Sequence, residues 1–420
     1  MKLLAFVLLL GAMAIRTLAQ SPDVAPAINQ FGLDLLGGGT ATNPSGNQLL
    51  SPFSIETALA MAWTGASGAN REEMRRVLHL AGDETAIIDR FAALTRDLRG
   101  LPGASRARAE NAGRSGAPKA PIELELASRL FVQSGFALQP DFTRGLRDQF
   151  ASPLEELDFR HAAEPARLSI NGWVASETHD RIRELIPAGA LNEKARVVLA
   201  NAVYLRASWM SPFDPNQTWL RTFWAEGRSQ TKVQTMTQQK HFLFEKHDGF
   251  IALALPYEGG ELQFLILLPD ERDGLAALER AVTPAMLTAC AKMHRSDVLV
   301  FLPKFKLAPP AMSLGTRLRA LGMTTAFDQP AGSADFTRIA PRSGDTYLAL
   351  SEVFHQAWLA VDEEGTEAAA ATAVGMVTLG MRAAEPVPPF EVHVDHPFLF
   401  AVQHVASGAC LFLGRVDDPR

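Results

Sequence analysis

The sequence predicts an α+β fold, because helical and strand patterns dominate different halves of the chain. Apolar side chains in residues 54–63 recur every three or four positions, the spacing of one helical face. Residues 197–205 and 262–269 are short, almost continuously apolar runs, typical of strands buried on both faces. The two kinds of element do not alternate as βαβ units, so large mixed or antiparallel sheets are expected.

Local signals place the elements in order along the chain. Ser54 is a candidate N-cap of the first helix, and Asn70 begins a second helix with acidic residues in its first turn. Residues 122–132 alternate as a strand does, and residues 169–186 form an amphipathic helical pattern. Strands then predominate towards the C-terminus, at residues 197–205, 250–257, 262–269, 298–307, 390–402 and 409–416.

Residues 96–119 differ from their surroundings. They are rich in Gly, Ala and Ser, show no apolar period, and carry six basic residues against two acidic ones. This composition predicts a flexible basic insertion, with residues 100–120 as its core. Scattered charge in such a segment is typical of a solvated linker, so we do not expect it to bind a polyanion. The basic residues are Arg96, Arg99, Arg106, Arg108, Arg114 and Lys119.

The N-terminus predicts export. A basic start at Lys2 precedes an apolar run at residues 3–15, and the small residues Thr17 and Ala19 suit a signal peptidase. We therefore expect residues 1–19 to be a signal peptide and residues 20–420 to be one secreted domain, extracellular or periplasmic. No later run is long enough to span a bilayer. The net charge of −6 gives no indication of nucleic-acid or membrane binding.

The sequence offers no catalytic or metal-binding motif. It lacks a G-x-S-x-G elbow, an H-E-x-x-H helix and a Walker loop. His393 and His396 follow a strand pattern, in which residues three apart point to opposite faces. Cys290 and Cys410 are either two buried thiols or a single bridge. We therefore expect no enzyme, metal or cofactor, since a hydrolase would need a nucleophile motif.

Residues 362–374, DEEGTEAAAATAV, carry conflicting signals. Four consecutive alanines favour a helix, whereas Gly365 interrupts its start and β-branched residues follow. Propensity alone favours the helix.

Five stretches, taken together and in order, resolve this conflict. They are SPFSIETALAMAWTGASG, VVLANAVYLRASW, LPKFKL, VDEEGTEAAAATAV and VHVDHPFLF. With them the chain resembles the serpins, single-domain serine protease inhibitors, from about Ile28 to its C-terminus. We expect a secreted bacterial member. The resemblance implies three β-sheets, eight or nine helices and an exposed reactive-centre loop.

The resemblance assigns residues 363–389 to the hinge and reactive-centre loop. In serpins this segment is a loop in the active protein and becomes a central strand after a protease cuts it. Gly365 tolerates the required change in backbone angles, and small side chains fit the packed sheet. The hinge residues implied are Glu363, Gly365, Thr366, Glu367, Ala368, Ala369, Ala370 and Ala371.

The resemblance also implies a polar gate beneath the central strands, which we call the shutter cluster. Its members are Ser51, Ser54, Asn201 and His355. Trp209 matches the tryptophan where the loop first enters the sheet, a region we call the breach. Taken singly, these residues would be interpreted as caps or ordinary core residues.

The family spacing places the scissile bond at Leu379–Gly380, and Met381 and Arg382 are the alternatives. Leucine favours chymotrypsin-, elastase- or subtilisin-like proteases, whereas Arg382 would redirect inhibition to trypsin-like enzymes. The expected function is a monomeric suicide-substrate inhibitor that traps the protease as an acyl-enzyme. The alternatives are a non-inhibitory carrier or chaperone, and a hydrolase.

Overall fold

The computed structural model describes residues 24–37, 46–112, 120–366 and 388–420. The predicted signal peptide, residues 1–19, lies outside these ranges. The described residues contain nine α-helices: α1 Ala25–Leu36, α2 Pro52–Thr64, α3 Gly68–Val77, α4 Glu84–Ala112, α5 Pro140–Phe150, α6 Phe159–Glu177, α7 Leu275–Ala281, α8 Pro284–Cys290 and α9 Gly315–Ala320.

Sixteen strands lie in the same described residues. They are β1 Gln48–Leu50, β2 Glu123–Gln133, β3 Glu155–Leu157, β4 Val197–Ser208, β5 Trp219–Ala225, β6 Ser229–His247, β7 Phe250–Pro256, β8 Leu262–Pro269, β9 Arg295–Pro303, β10 Phe305–Leu307, β11 Met312–Ser313, β12 Leu350–Val361, β13 Gly365–Thr366, β14 Phe390–His393, β15 Phe398–His404 and β16 Ala409–Val416.

The strands form two hydrogen-bonded sheets. The nine-stranded sheet has the order β1-β16-β15-β8-β7-β6-β9-β14, with β5 on β6, and the seven-stranded sheet has the order β10-β12-β13-β4-β2-β3, with β11 on β12. The predicted α+β fold is confirmed, although the resemblance implied three sheets and the described strands form two. The 19-residue strand β6 accounts for the difference, since it pairs in turn with β5, β9 and β7 and so joins their ladders.

Two apolar cores flank the seven-stranded sheet, and β4 contributes to both. Val197, Leu199 and Val203 belong to the large core shared with α2 and the nine-stranded sheet. Val198 and Ala200 belong to the smaller core beneath α6. Because successive side chains of β4 point into alternate cores, almost every position of this strand is apolar. This agrees with the prediction of a strand covered on both faces.

The centre of the seven-stranded sheet contains an unusual three-strand arrangement. β12 runs parallel to β4 and pairs with it from Leu350 to Trp358. The two-residue strand β13 lies between the C-terminal ends of β12 and β4, which we call their upper ends, and is antiparallel to both. We call the boundary between β12 and β4 the seam.

The flexible insertion predicted at residues 96–119 is wrong over 96–112, where α4 continues as a helix to Ala112. The sequence interpretation missed a stripe of buried side chains at helical spacing. Packing of this stripe stabilises the helix despite the low helix propensity of Gly100, Pro102 and Gly103. Ser105 extends the stripe, and its hydroxyl accepts a hydrogen bond from the Ile122 N–H at 2.9 Å. Residues 113–119 lie outside the described part of the chain. The stripe consists of Ile87, Phe91, Leu94, Leu98 and Leu101.

Three predicted helix boundaries also differ, and one of them is that of α3, which begins at Gly68 rather than Asn70 and has no acidic residue in its first turn. α2 begins at Pro52, so Ser51 rather than Ser54 takes the N-cap position. α6 ends at Glu177, well short of the predicted residue 186, and a turn follows in which His179 and Asp180 have positive φ. Among the described residues, no helix combines the length and hydropathy needed to cross a bilayer.

Glu56 is an anomaly in α2. Its side chain is fully buried, and neither carboxyl oxygen has a hydrogen-bond partner. Burial raises the pKa of Glu56 well above its ordinary value, because the charged form would lose its hydration without compensation. Unfolding exposes the carboxyl, which then ionises at its ordinary pKa of about 4.3. Above that pH the unfolded chain binds fewer protons than the native state, so this group lowers native stability as pH rises.

Glu56→Gln should therefore stabilise the native protein at neutral pH, because the amide has a similar shape and cannot ionise. The gain should grow between pH 5 and pH 7.5, as measured by the guanidinium midpoint of native-state unfolding. Glu72→Gln, an exposed change on α3, is the control. A Glu56→Gln gain that is absent, or the same at both pH values, would contradict this account.

Candidate functional site

The predicted hinge begins inside the sheet. Thr366 is fully buried, pairs with Val361 on one side and Ala207 on the other, and its hydroxyl hydrogen-bonds to the hydroxyl of Tyr257. Gly365 has φ of +157°, and a Cβ at this position would overlap the carbonyl oxygen of Ala207. The close approach therefore requires glycine at residue 365.

Trp209 lies directly behind the hinge. Its indole N–H donates to the Asp362 carbonyl at 2.9 Å, and its backbone N–H donates to the Glu364 carbonyl at 2.8 Å. The indole stacks on Tyr257 with ring centroids 4.7 Å apart. The breach tryptophan thus contacts both the backbone before the hinge and the tyrosine that holds Thr366.

Glu363 anchors the segment that leads into the hinge. One carboxylate oxygen accepts from the Thr218 hydroxyl at 2.8 Å, and the other pairs with the Lys304 ammonium at 2.6 Å. Burial by itself would raise the pKa of Glu363, but the bonds from Lys304 and Thr218 lower it overall. Glu363 is therefore an ionised anchor that joins the segment before the hinge to residues flanking two strands of the nine-stranded sheet, Thr218 before β5 and Lys304 after β9.

A row of polar side chains crosses the seven-stranded sheet at the shutter. His355 on β12 is paired with Asn201 on β4, which is paired with Ser128 on β2. His355 Nδ1 and Asn201 Oδ1 are 2.6 Å apart, and Asn201 Nδ2 donates to Ser128 Oγ at 2.6 Å. Three neighbouring strands are thus cross-linked along one line.

Helix α2 completes this cluster from below. Asn201 Nδ2 also donates to Ser54 Oγ, and Ser54 Oγ lies 3.1 Å from Ser128 Oγ. The Ser51 N–H donates to His355 Nε2 at 3.1 Å, so the imidazole proton must reside on Nδ1 and be donated to Asn201. Ser51 Oγ donates to the Leu411 carbonyl at 2.6 Å.

Burial lowers the pKa of His355 to about 3. Protonation of Nε2 would also break its bond with the Ser51 N–H. The neutral imidazole is therefore part of the packed structure, and the shutter cluster holds three strands and α2 in one hydrogen-bonded arrangement.

The structure thus brings together Ser51, Ser54, Asn201 and His355, and it places Trp209 against the hinge. Sequence reasoning missed four further contacts: Ser128 in the shutter, and Tyr257, Thr218 and Lys304 around the hinge. Lys304 stands within the motif LPKFKL. The other three are revealed only by strand register and tertiary packing.

Several predicted residues fall outside the described part of the chain. They are Glu367, Ala368, Ala369, Ala370, Ala371, Leu379, Gly380, Met381 and Arg382.

The remaining chemistry-bearing candidates are structural. Cys290 and Cys410 are buried free thiols, and burial raises the pKa of each to about 12. His393 lies 3.1 Å from Glu391, whereas His396 contacts Asp395 and the carbonyl of Pro269. Across the described ranges, His, Cys, Asp and Glu form no group of three that could hold a metal ion.

Comparisons with known proteins agree with this geometry. A family model described as Serpin (serine protease inhibitor) matches residues 26–419. The chain is 35% identical to a leukocyte elastase inhibitor of Xenopus tropicalis over 404 residues and 33% identical to that of Homo sapiens over 410 residues. Both alignments cover 94% of this chain and 100% of the relative.

A solved structure gives the same result. Serpin48 of the insect Tenebrio molitor is 29% identical, with a TM-score of 0.74, and the match covers 94% of this chain and 98% of that one. These relatives come from animals, so they lend no support to the expected bacterial origin.

The neutral state of His355 makes native stability depend on pH. The unfolded imidazole binds a proton below its ordinary pKa of about 6.5, whereas the native one does not until about pH 3. Between these values the unfolded state binds more protons, so native stability should fall as pH falls, by up to about 1.4 kcal/mol for each pH unit. His355→Gln should flatten this dependence in guanidinium unfolding from pH 6.5 to pH 4. An unchanged slope, like that of the exposed control His241→Gln, would refute the assignment.

The Glu363–Lys304 pair can be tested by exchanging its charges. Glu363→Lys should lower native stability by about 1 kcal/mol, because two ammonium groups would then face each other at a partly exposed site. Adding Lys304→Glu should restore part of the loss, although the bond from Thr218 stays broken. Thermal unfolding measures both, with exposed Glu245→Lys as the control. No recovery in the double variant would mean that the pair is not the source of the stability.

Proposed function

This chain belongs to the serpin family, and from that premise we propose that it inhibits serine proteases as a suicide substrate. A protease attacks the loop, its serine oxygen bonds to the scissile carbonyl, and the amine of the following residue leaves with a proton. The new end of the chain stays attached to the protease as an acyl-enzyme. The inhibitor then inserts the freed segment into its sheet before water releases the protease, so it is not itself an enzyme.

One observation carries the proposal: β13 already lies between β12 and β4 and is antiparallel to both. Downward extension of β13 would part the seam and replace one parallel ladder by two antiparallel ladders, which are slightly more stable per residue pair. β13 therefore supplies a starting point for the proposed insertion.

The register of β13 indicates where each inserted residue would go. Thr366 pairs with Val361 and Ala207, and six residues further the same register sets Thr372 between His355 and Asn201. These two residues are partners across the seam, so their bond must break when a strand comes between them. A threonine hydroxyl can both donate and accept, which suits it to bridge the two separated groups.

The same register takes Leu379 thirteen residues below Thr366, opposite Lys194, which lies three residues beyond the lower end of the seam at Val197. This displacement is roughly 45 Å at the rise of an antiparallel strand. A protease attached at Leu379 would be carried across the inhibitor, and a misplacement of about 1 Å in its catalytic groups is enough to slow deacylation greatly.

Leu379 as the bait residue favours chymotrypsin-, elastase- or subtilisin-like proteases, which accept an apolar side chain. The names of the leukocyte elastase inhibitor relatives favour an elastase-like target. Arg382 would instead give trypsin-like specificity. Inhibition is favoured over a carrier or chaperone role because residues 365–378 contain no proline and one charged residue, Glu367.

Export is a further part of the proposal, supported by the basic and apolar pattern of residues 1–19. We also propose a secreted, monomeric protein that works without a cofactor or polyanion. Bacterial origin has only the sequence-based expectation behind it.

Mixing the mature protein with chymotrypsin, pancreatic elastase and trypsin tests the proposal. We expect an SDS-stable complex with at least one of the first two, and mass spectrometry of the released peptide should locate the bond at Leu379–Gly380. Leu379→Arg should shift complex formation to trypsin. If wild-type protein inhibits trypsin and Arg382→Ala abolishes that inhibition, the bait is Arg382.

Cleavage within the loop should also raise the thermal midpoint, since the inserted strand completes the sheet. A cleaved form that melts no higher than the intact one, together with no complex with any of the three proteases, would overturn the inhibitory mechanism.

A further inference from the structure

The outer face of the seam, on the side of α6, carries an aromatic pair directly below β13. Tyr204 and Trp358 are the last facing residues of the β4–β12 ladder. Their ring centroids are 6.4 Å apart, and the two side chains are only 3% and 9% exposed. Two large apolar side chains therefore meet across the boundary that must open, at its upper end.

Two cations from separate elements cover Trp358. The guanidinium of Arg181, in the turn after α6, lies 5.4 Å from the ring centroid, and the ammonium of Lys306 on β10 lies 5.6 Å away. Both distances allow cation–π attraction, which is stronger where the ring is shielded from water.

Tyr204 makes its contacts on the β4 side of the seam. His179, from the same turn as Arg181, packs edge-on against the tyrosine ring with centroids 5.6 Å apart. The tyrosine hydroxyl donates to Glu123 on β2 at 3.5 Å. The pair therefore links the turn after α6 to strands on both sides of the seam.

The register of β13 makes this pair an obstacle. Three residues below Thr366, the inserted segment would have to pass between Trp358 and Tyr204. The aromatic contact would be lost, and Arg181 could no longer bridge the strands through Trp358. The inserting strand would reach the Tyr204–Trp358 pair before the shutter cluster, which lies three residues lower and on the inner face of the sheet. The pair and the shutter cluster are therefore separate obstacles.

We propose that Tyr204 and Trp358, capped by Arg181 and Lys306, form an outer clasp that sets how fast a strand enters the seam. The clasp rests on the loop-insertion mechanism of the proposed function, to which it adds specific rate-controlling residues. A tight clasp slows insertion and favours release of the protease, whereas a loose one speeds insertion but lets the intact loop enter too early.

Annealing of a synthetic peptide tests the clasp without a protease. The peptide EAAAATAVGMVT, residues 367–378, is incubated with intact full-length protein, and incorporation is followed by the rise in thermal midpoint. Trp358→Val should accelerate incorporation on the order of tenfold, since it removes an aromatic pair and two cation–π contacts. Trp358→Phe, which retains a ring, and Arg181→Ala should each give a smaller acceleration.

Trp224→Val is the matched control. Trp224 also lies under an arginine, with Arg272 4.0 Å above its ring, but on β5 of the other sheet. It should lower stability without changing the annealing rate. If Trp358→Val anneals at the wild-type rate or no faster than Trp224→Val, the clasp is refuted. If the peptide does not anneal to the wild-type protein at all, the insertion mechanism fails and the clasp fails with it.

Discussion

The rest of the structure depends on the parallel pairing of β12 with β4. Both strands are buried on both faces, and each could pair with an intervening antiparallel strand. Instead they bond to each other from Leu350 to Trp358 and admit only the two residues of β13 at the top. The native sheet is thus closed by a parallel ladder at the place where the proposed mechanism would insert a strand. Under that mechanism, this topology alone would make the native state metastable.

The side chains then decide how firmly the ladder is held. His355, Asn201 and Ser128 link three strands on the inner face, where an unpaired polar group would be costly. Near the top, Glu363 and Trp209 fix the backbone that leads into β13. Glu56 acts in the opposite sense, because its buried and unpartnered carboxyl raises the free energy of the native state. The fold therefore contains both strong local hydrogen bonds and a destabilising buried carboxyl, a combination that suits the metastable state required by the proposed mechanism.

Sequence reasoning predicted the fold class well, because β4 and α2 carry periodic apolar signals that few alternatives can explain. It failed at α4, where two glycines and a proline obscured a buried stripe running from Ile87 to Leu101. It named four polar residues of the shutter through resemblance, yet it missed Ser128. That serine joins the cluster because the antiparallel register of β2 sets it beside Asn201, and no local pattern encodes register between distant strands. The outer aromatic pair was invisible for the same reason.

The two-residue strand β13 has a kinetic consequence. In strand formation the slow and uncertain part is nucleation, when the chain must find its partners and its alignment against the entropy of loop closure. Here Thr366 is already paired with both neighbours, so in the proposed insertion that search is complete before a protease cuts the loop. Only propagation remains, one residue at a time, from a fixed origin. The origin also guards fidelity, because a slip of one residue would turn every inward side chain outward and leave Thr372 facing away from the shutter.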